Sequence, residues 1–361
     1  MPRVSRIAWR IAWTLALSGL TGVACGARTG LLVPLDTADG GLTGPACVGT
    51  PIPVDTNTPN LYFVLDGSTS MQEESKWANV RTAVATLITQ LGPRAAFGAA
   101  VFPTQGADAC TTGTEVMPVQ TGDSQGATAG VFLAATSLTP QGGTPTAATL
   151  EALLPELSAF PQLTFAILAT DGGPNCDSAL SCGVDDCTSN MDGVPGCPVA
   201  GPPNCCDPTT GIGGLGCLDA AGTTAAVSAL RAAGVETFVM GIPGSAPYAA
   251  VLDELAIAGG GARTSEPYYY QVDTSDTGAL GAAFAEIAAQ ATASCTFTLS
   301  TSPTDPGEVN VYVNGVLVPQ GGADGWSLQG TKVTLEGSTC SAIGTGGASS
   351  VTVEDGCATV R

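Results

Sequence analysis

The chain contains no histidine, and Lys76 and Lys332 are its only lysines. Without an imidazole no Ser-His-Asp triad can form, and a zinc finger built on two cysteines and two histidines is excluded as well. The segment Gly122-Asp123-Ser124-Gln125-Gly126 fits the GxSxG pattern of serine hydrolases, but that pattern carries chemistry only on a strand-turn-helix with a base at hand. Here it precedes a helical pattern and reads as a loop. No glycine-rich loop closes on a lysine, so a phosphate cradle of the P-loop kind is missing too. Basic residues of any sort are scarce: 11 Lys and Arg stand against 31 Asp and Glu, a formal net charge of −20. Such a surface repels phosphate backbones and argues against a nucleic-acid partner. Beyond residue 25 no apolar run reaches the roughly 20 residues that a membrane span needs.

What is present begins with an export pattern. Residues 1–24 hold Arg3, Arg6 and Arg10 and no acid, then an apolar run over 11–20, then Gly22-Val23-Ala24 before Cys25. A basic segment, a short apolar segment and small residues before a cut make a signal peptide. The cut region resembles the lipobox of bacterial lipoproteins, in which Cys25 would be acylated and become the first residue and the membrane attachment; Gly22 stands where that family usually carries leucine. The alternative is an ordinary signal peptide cleaved after Ala24. Gly26 behind the lipid-bearing cysteine, by resemblance to sorting in other lipoproteins, points to the outer membrane of a bacterial envelope, with a secreted or periplasmic protein as the alternative. Removing residues 1–24 leaves eight basic residues and a formal charge of −23.

Cys25 apart, twelve cysteines remain: Cys47, Cys110, Cys176, Cys182, Cys187, Cys197, Cys205, Cys206, Cys217, Cys295, Cys340 and Cys357. An even number in an exported chain implies disulfides. Seven of them crowd between Cys176 and Cys217 without CxxC repeats, and a four-thiolate zinc site is the competing reading.

At 361 residues the chain is long enough for two folding units. Residues 25–59 are rich in Gly, Thr, Pro and Asp with no periodicity and read as a linker behind the lipid. An alternating series follows. Buried-strand runs at 61–65, 95–102, 163–169, 235–242 and 268–272 alternate with helical patterns at 75–91, 127–138, 146–157, 220–233, 249–258 and 277–292. Alternation of this kind predicts an α/β fold: a doubly wound, mostly parallel sheet over 60–293 with helices on both faces. From Cys295 the pattern changes to short alternating runs, with Asn314-Gly315 between two of them as a hairpin signal. Residues 294–361 therefore read as a small C-terminal antiparallel β domain.

The strand at 61–65 ends in Asp66-Gly67-Ser68-Thr69-Ser70, a carboxylate and three hydroxyls in five residues. Two other stretches should reach the same sheet edge: Gln141-Gly142-Gly143-Thr144-Pro145-Thr146 before a helix, and Thr170-Asp171-Gly172 after a strand. Together they offer carboxylate and hydroxyl oxygens with no thiolate or imidazole, a donor set for a hard divalent cation.

These residues resemble the von Willebrand factor type A family over about 60–293: its DxSxS motif is Asp66, Ser68 and Ser70, its separate threonine is Thr144, and its last aspartate is Asp171. The resemblance implies a Rossmann-like fold and a metal-ion-dependent adhesion site. In it Ser68 and Ser70 would bind Mg2+ (or Mn2+ or Ca2+) directly, Thr144 directly or through water, and Asp66 and Asp171 through water. Neutral hydroxyls next to the metal leave it electrophilic, while carboxylates one step out orient it. A protein ligand's acidic residue can then complete the coordination. The function this implies is non-enzymatic: an envelope protein that binds a protein ligand through the cation. The alternative is a structural envelope scaffold in which the metal only stabilises the fold.

Between Asp171 and the next helix lies a cysteine-rich insertion, 172–218, carrying Asp177, Asp185, Asp186, Asp192 and Asp207. A loop this long is usually functional or independently stapled. Starting beside Asp171, it should overhang the cation and shape which partner reaches it. It would then be the contact surface in the scaffold reading. Its aspartates either hold a structural calcium, without EF-hand spacing, or are solvated loop charges.

Overall fold

The computed structural model describes residues 49–52, 54–55, 58–106, 108–209, 211–274, 276–292, 295–344 and 351–361. Cys25 and Cys47, and with them the signal and anchor readings, lie outside these residues.

Two short strands come first, β1 (Thr50–Ile52) and β2 (Val54–Asp55). The α/β region follows as β3 (Asn60–Asp66), α1 (Lys76–Leu91), β4 (Ala96–Phe102), β5 (Thr114–Thr121), α2 (Ala127–Ala135), α3 (Thr146–Leu157) and β6 (Thr164–Thr170). The insertion contributes one turn of helix, α4 (Thr188–Met191). The region then continues through α5 (Ala220–Ala232), β7 (Val235–Gly241), α6 (Ala249–Gly259), β8 (Tyr270–Gln271) and α7 (Thr277–Thr292). Its sheet runs β5-β4-β3-β6-β7-β8. Every pairing is parallel except that of β5 with β4. The chain leaves β3 first toward β4 and later starts again on the other side at β6. The carboxyl ends of β3 and β6 therefore border the switch point of a doubly wound sheet, where open α/β sheets bind ligands.

Both faces of the sheet are covered, as a run of apolar residues without polar alternation requires. Leu61, Phe63 and Leu65 of β3 face α1, α2 and α7, while Tyr62 and Val64 face α3, α5 and α6. Phe63 has no exposed surface and meets the Phe132 and Phe284 rings at centroid distances of 6.1 and 5.8 Å. Cutting such a side chain to alanine costs about 3–5 kcal/mol.

The C-terminal part is a sandwich of two four-stranded antiparallel sheets. Its strands are β9 (Thr296–Leu299), β10 (Val309–Val313), β11 (Val316–Val318), β12 (Trp326–Gln329), β13 (Lys332–Leu335) and β14 (Val351–Asp355), with one helix, α8 (Gly337–Gly344). The orders are β1-β14-β10-β11 and β12-β13-β9-β2, packed about Trp326, Val311, Val333 and Phe297. Asn314 (φ 52°) and Gly315 (φ 77°) both take the positive φ that the two-residue hairpin requires. One expectation is corrected here. The stretch 25–59 is not a linker throughout, because β1 pairs with β14 and β2 with β9. Strands of three and two residues are too short to show a period, and the sheets they complete are built from residues more than 240 positions away.

β5 was not predicted. Pro118 interrupts it and its burial follows no alternation, both of which an edge strand tolerates.

Candidate functional site

Three loops meet at the carboxyl edge of the sheet, each fixed by the element behind it. Asp66 is the last residue of β3 and fully buried. Its Oδ1 accepts the Ser68 N–H at 2.8 Å and its Oδ2 accepts the Thr170 hydroxyl at 2.5 Å. The Ser68 and Ser70 hydroxyl oxygens lie 3.1 Å apart, and Ser70 donates to Asp171 Oδ1 at 2.8 Å. Asp66, Ser68, Ser70 and Asp171 thus form one hydrogen-bonded group.

Thr144 arrives on the second loop, which is stitched to both others. Thr69 N–H donates to the Gly142 carbonyl at 3.1 Å and Gln141 N–H to the Gly67 carbonyl at 2.8 Å. Asn175 Oδ1 accepts the Thr144 N–H at 2.8 Å, and Asn175 N–H donates to the Thr144 carbonyl at 2.9 Å. The glycine pair allows this approach. At Gly143 a Cβ would sit 2.8 Å from Cys176 Sγ, one half of the Cys110–Cys176 disulfide that fastens the loop after β4 to the start of the insertion.

Two buried carboxylates so placed are short of positive charge. Burial, and after it the negative charge of Asp171, pushes the Asp66 carboxyl up to about 7. The only cation on the group is Lys76 among the described residues, its Nζ 2.9 Å from Asp171 Oδ2. Burial opposes the Lys76 charge, yet the hydrogen bond and charge of Asp171 outweigh it and hold its pKa above the usual lysine value.

The donor set fits a hard dication. Mg2+ takes oxygens at about 2.0–2.1 Å in an octahedron, whose neighbouring corners are about 3 Å apart. The 3.1 Å between the serine hydroxyls has that spacing. Nitrogen and sulfur donors are missing from the group, and its carboxylates carry the charge that a cation would neutralise.

Beside Asp171 opens a cleft of about 410 Å³. Ser70, Lys76 and Asp171 line one side of it, and Met191, Asp192 and Val194 of the insertion the other. The insertion therefore does overhang the group. It is anchored there by Tyr248, whose hydroxyl donates to Asp192 Oδ1 at 2.7 Å. Burial raises the Asp192 carboxyl above the usual range, and the charge of Asp171 adds to the effect.

The insertion is held by cystines: Cys182–Cys217, Cys187–Cys206 and Cys197–Cys205 join Cys110–Cys176. Neighbouring Cys205 and Cys206 take different partners. Cys295 pairs with Cys340 in the C-terminal sandwich, and Cys357 is also disulfide-bonded. Among the described residues, the one group of three or more Cys, Asp or Glu close enough to share an ion is Cys182, Cys206 and Cys217, and all three are spent in disulfides. Two of the insertion's aspartates serve local turns: Asp177 accepts the Ala179 N–H and Asp207 the Thr209 N–H. The Gly122–Gly126 loop has a structural task as well, since Asp123 accepts the N–H groups of Gln125, Ala127 and Thr128 at the start of α2.

Sequence reasoning placed Thr170 in one of the oxygen-bearing stretches without giving it a role, and passed over Lys76 and Asn175. A hydroxyl at the end of the apolar β6 was the available signal for Thr170. Lys76, one of two lysines, opens a helix where a cation is disfavoured. Asn175 carried no signal.

No family model matches the chain, and no curated protein matches it. Solved structures do resemble it. The pilus adhesin SpaC from Lactobacillus rhamnosus GG is 17% identical with a TM-score of 0.47, over 83% of this chain and 39% of its own, so this chain spans about two fifths of that adhesin. The vWF domain of the type V pili tip protein Mfa5 from Porphyromonas gingivalis is 15% identical with a TM-score of 0.42, over 64% of this chain and 94% of that one. The conserved hypothetical protein BatB from Bacteroides thetaiotaomicron is 15% identical with a TM-score of 0.38, over 63% and 98%.

Proposed function

We propose that this is a non-enzymatic protein of the cell envelope, exported and lipid-anchored through Cys25, that binds a protein ligand through a divalent cation. The cation is Mg2+, or Mn2+ or Ca2+ in its place. Ser68 and Ser70 would hold it directly, Thr144 directly or through water, and Asp66 and Asp171 through water. When bound, it supplies an electrophilic point for an Asp or Glu of the ligand. The protein residues do the rest: Thr170 and the Ser68 N–H fix Asp66, and Asn175 holds the Thr144 backbone in place.

The observation that carries this reading is the hydrogen-bonded group Asp66, Ser68, Ser70 and Asp171 at the switch point of the sheet, all but Ser70 buried, beside an open cleft. A net-negative chain discourages acidic partners at long range, so the contact has to be local and metal-mediated. Capture from envelope extracts in Mg2+ or in chelator, with Asp171→Ala alongside, tests it. A partner held only by the wild type in Mg2+ is expected. Equal capture in all three conditions sinks the reading.

A second reading, the scaffold whose insertion makes the contacts, draws on the insertion's surface. Val199 is 67% and Ile212 56% exposed on it, and a partner bound there would be captured regardless of metal.

A further inference from the structure

Lys76 is the charged residue that the cation reading leaves without a task, and its placement is unlike that of a surface lysine. It opens α1, where positive charge meets the positive end of the helix dipole. The two residues before it, Glu74 (φ 49°) and Ser75 (φ 59°), both take the left-handed conformation that residues with a Cβ avoid. Its side chain is 6% exposed, and lysines are almost never buried without a partner. An ammonium has three N–H groups, and three oxygens surround this one. Asp171 Oδ2 lies at 2.9 Å, the Ser70 carbonyl at 3.4 Å and Glu73 Oε2 at 3.6 Å. Gly244 (φ 114°) leaves room for it, since a Cβ there would lie 3.2 Å from Nζ.

We propose that Lys76 is a built-in counterion of the cation site, an inference that rests on the metal reading above. In the metal-free protein it neutralises Asp171 and keeps the Ser70 and Asp171 loops together in the arrangement the metal needs. When a dication enters, the same ammonium opposes it. A charge within about 4–6 Å of an ionised group, such as an arginine beside an aspartate, shifts its equilibrium by about one to three decades, and a like charge acts in the unfavourable direction. Lys76 thereby sets the metal affinity low, and a ligand carboxylate arriving beside the cation offsets the repulsion. Metal and ligand then reinforce each other's binding, and the site releases its partner when the cation is withdrawn without losing its shape.

The test is a Mn2+ titration of the full chain, read by the electron paramagnetic resonance of free Mn2+, with thermal unfolding in chelator and in Mn2+. Lys76→Gln is expected to bind Mn2+ about tenfold or more tightly than wild type. It should also melt at a lower temperature in chelator and gain more on adding Mn2+. Lys76→Arg, which keeps the charge, is expected to bind as wild type does. Should Lys76→Gln not fold in chelator, refolding that requires Mn2+ supports the proposal, and equal failure with and without Mn2+ overturns it. Unchanged or weaker affinity in Lys76→Gln, with wild-type binding intact, overturns the counterion role alone. Absence of Mn2+ binding in wild type and in both variants overturns the metal reading and the counterion with it.

Discussion

The oxygen group ends at Asp171 and the cysteine-rich insertion starts at Gly172, yet the two regions are held by opposite means. The group is built from strand ends and short loops. Its members are nearly all buried, and hydrogen bonds to charged oxygens fix them because the sheet has already placed their backbones. The insertion has few apolar side chains to bury. Its small core is made largely of the sulfurs themselves, with Cys187, Cys206 and Cys217 almost without exposed surface. A region that inherits a scaffold can be polar, whereas a long loop that lacks one needs covalent staples.

That contrast can be broken from either side. The largest effect is expected from replacing Cys187 and Cys206 together by alanine, which opens a closure of 19 residues and costs the insertion about 3 kcal/mol. Limited proteolysis should then cut within 173–218 while the far-ultraviolet circular dichroism of the sheet persists. Loss of the whole fold would show that the insertion is not separately held. A smaller effect is expected from Thr170→Val, which removes the hydroxyl that donates to Asp66 Oδ2 and loses about 2 kcal/mol in urea denaturation in chelator. Proteolysis of the insertion should not change.

The smallest effect concerns the loop before α2, where one carboxylate accepts three backbone N–H groups. Three backbone N–H groups lower the Asp123 carboxyl to about 2, below the roughly 3.9 of an unfolded aspartate. The folded value is depressed, so its contribution is present above about pH 4 and is lost as pH falls toward 2. Amide hydrogen exchange at Ala127 and Thr128 should quicken over that window beyond its ordinary pH dependence, and Asp123→Asn should abolish the extra step.

Much of this was legible because local chemistry and the global fold agree. Short apolar runs such as that at 61–65 between turn signals suit a strand covered on both sides, and the 146–157 and 277–292 patterns became α3 and α7 with those bounds. The oxygen group was legible because three stretches carrying hydroxyls and carboxylates border elements that end at one edge of the sheet. What was hidden depends on partners distant in sequence. β1 and β2 have meaning only beside β14 and β9, and the pairing of Cys110 with Cys176 depends on where the fold brings two loops. Lys76 looked like a helix residue, and its contact with Asp171, 95 positions away, gives it another role.

The measurement closest to the central claim is calorimetric titration of Mg2+ into the full chain, beside Ser68→Ala and Thr144→Val. The account predicts one Mg2+ per chain, with affinity reduced about tenfold or more in both variants. The same isotherm in all three, or no binding by the wild type, would contradict it.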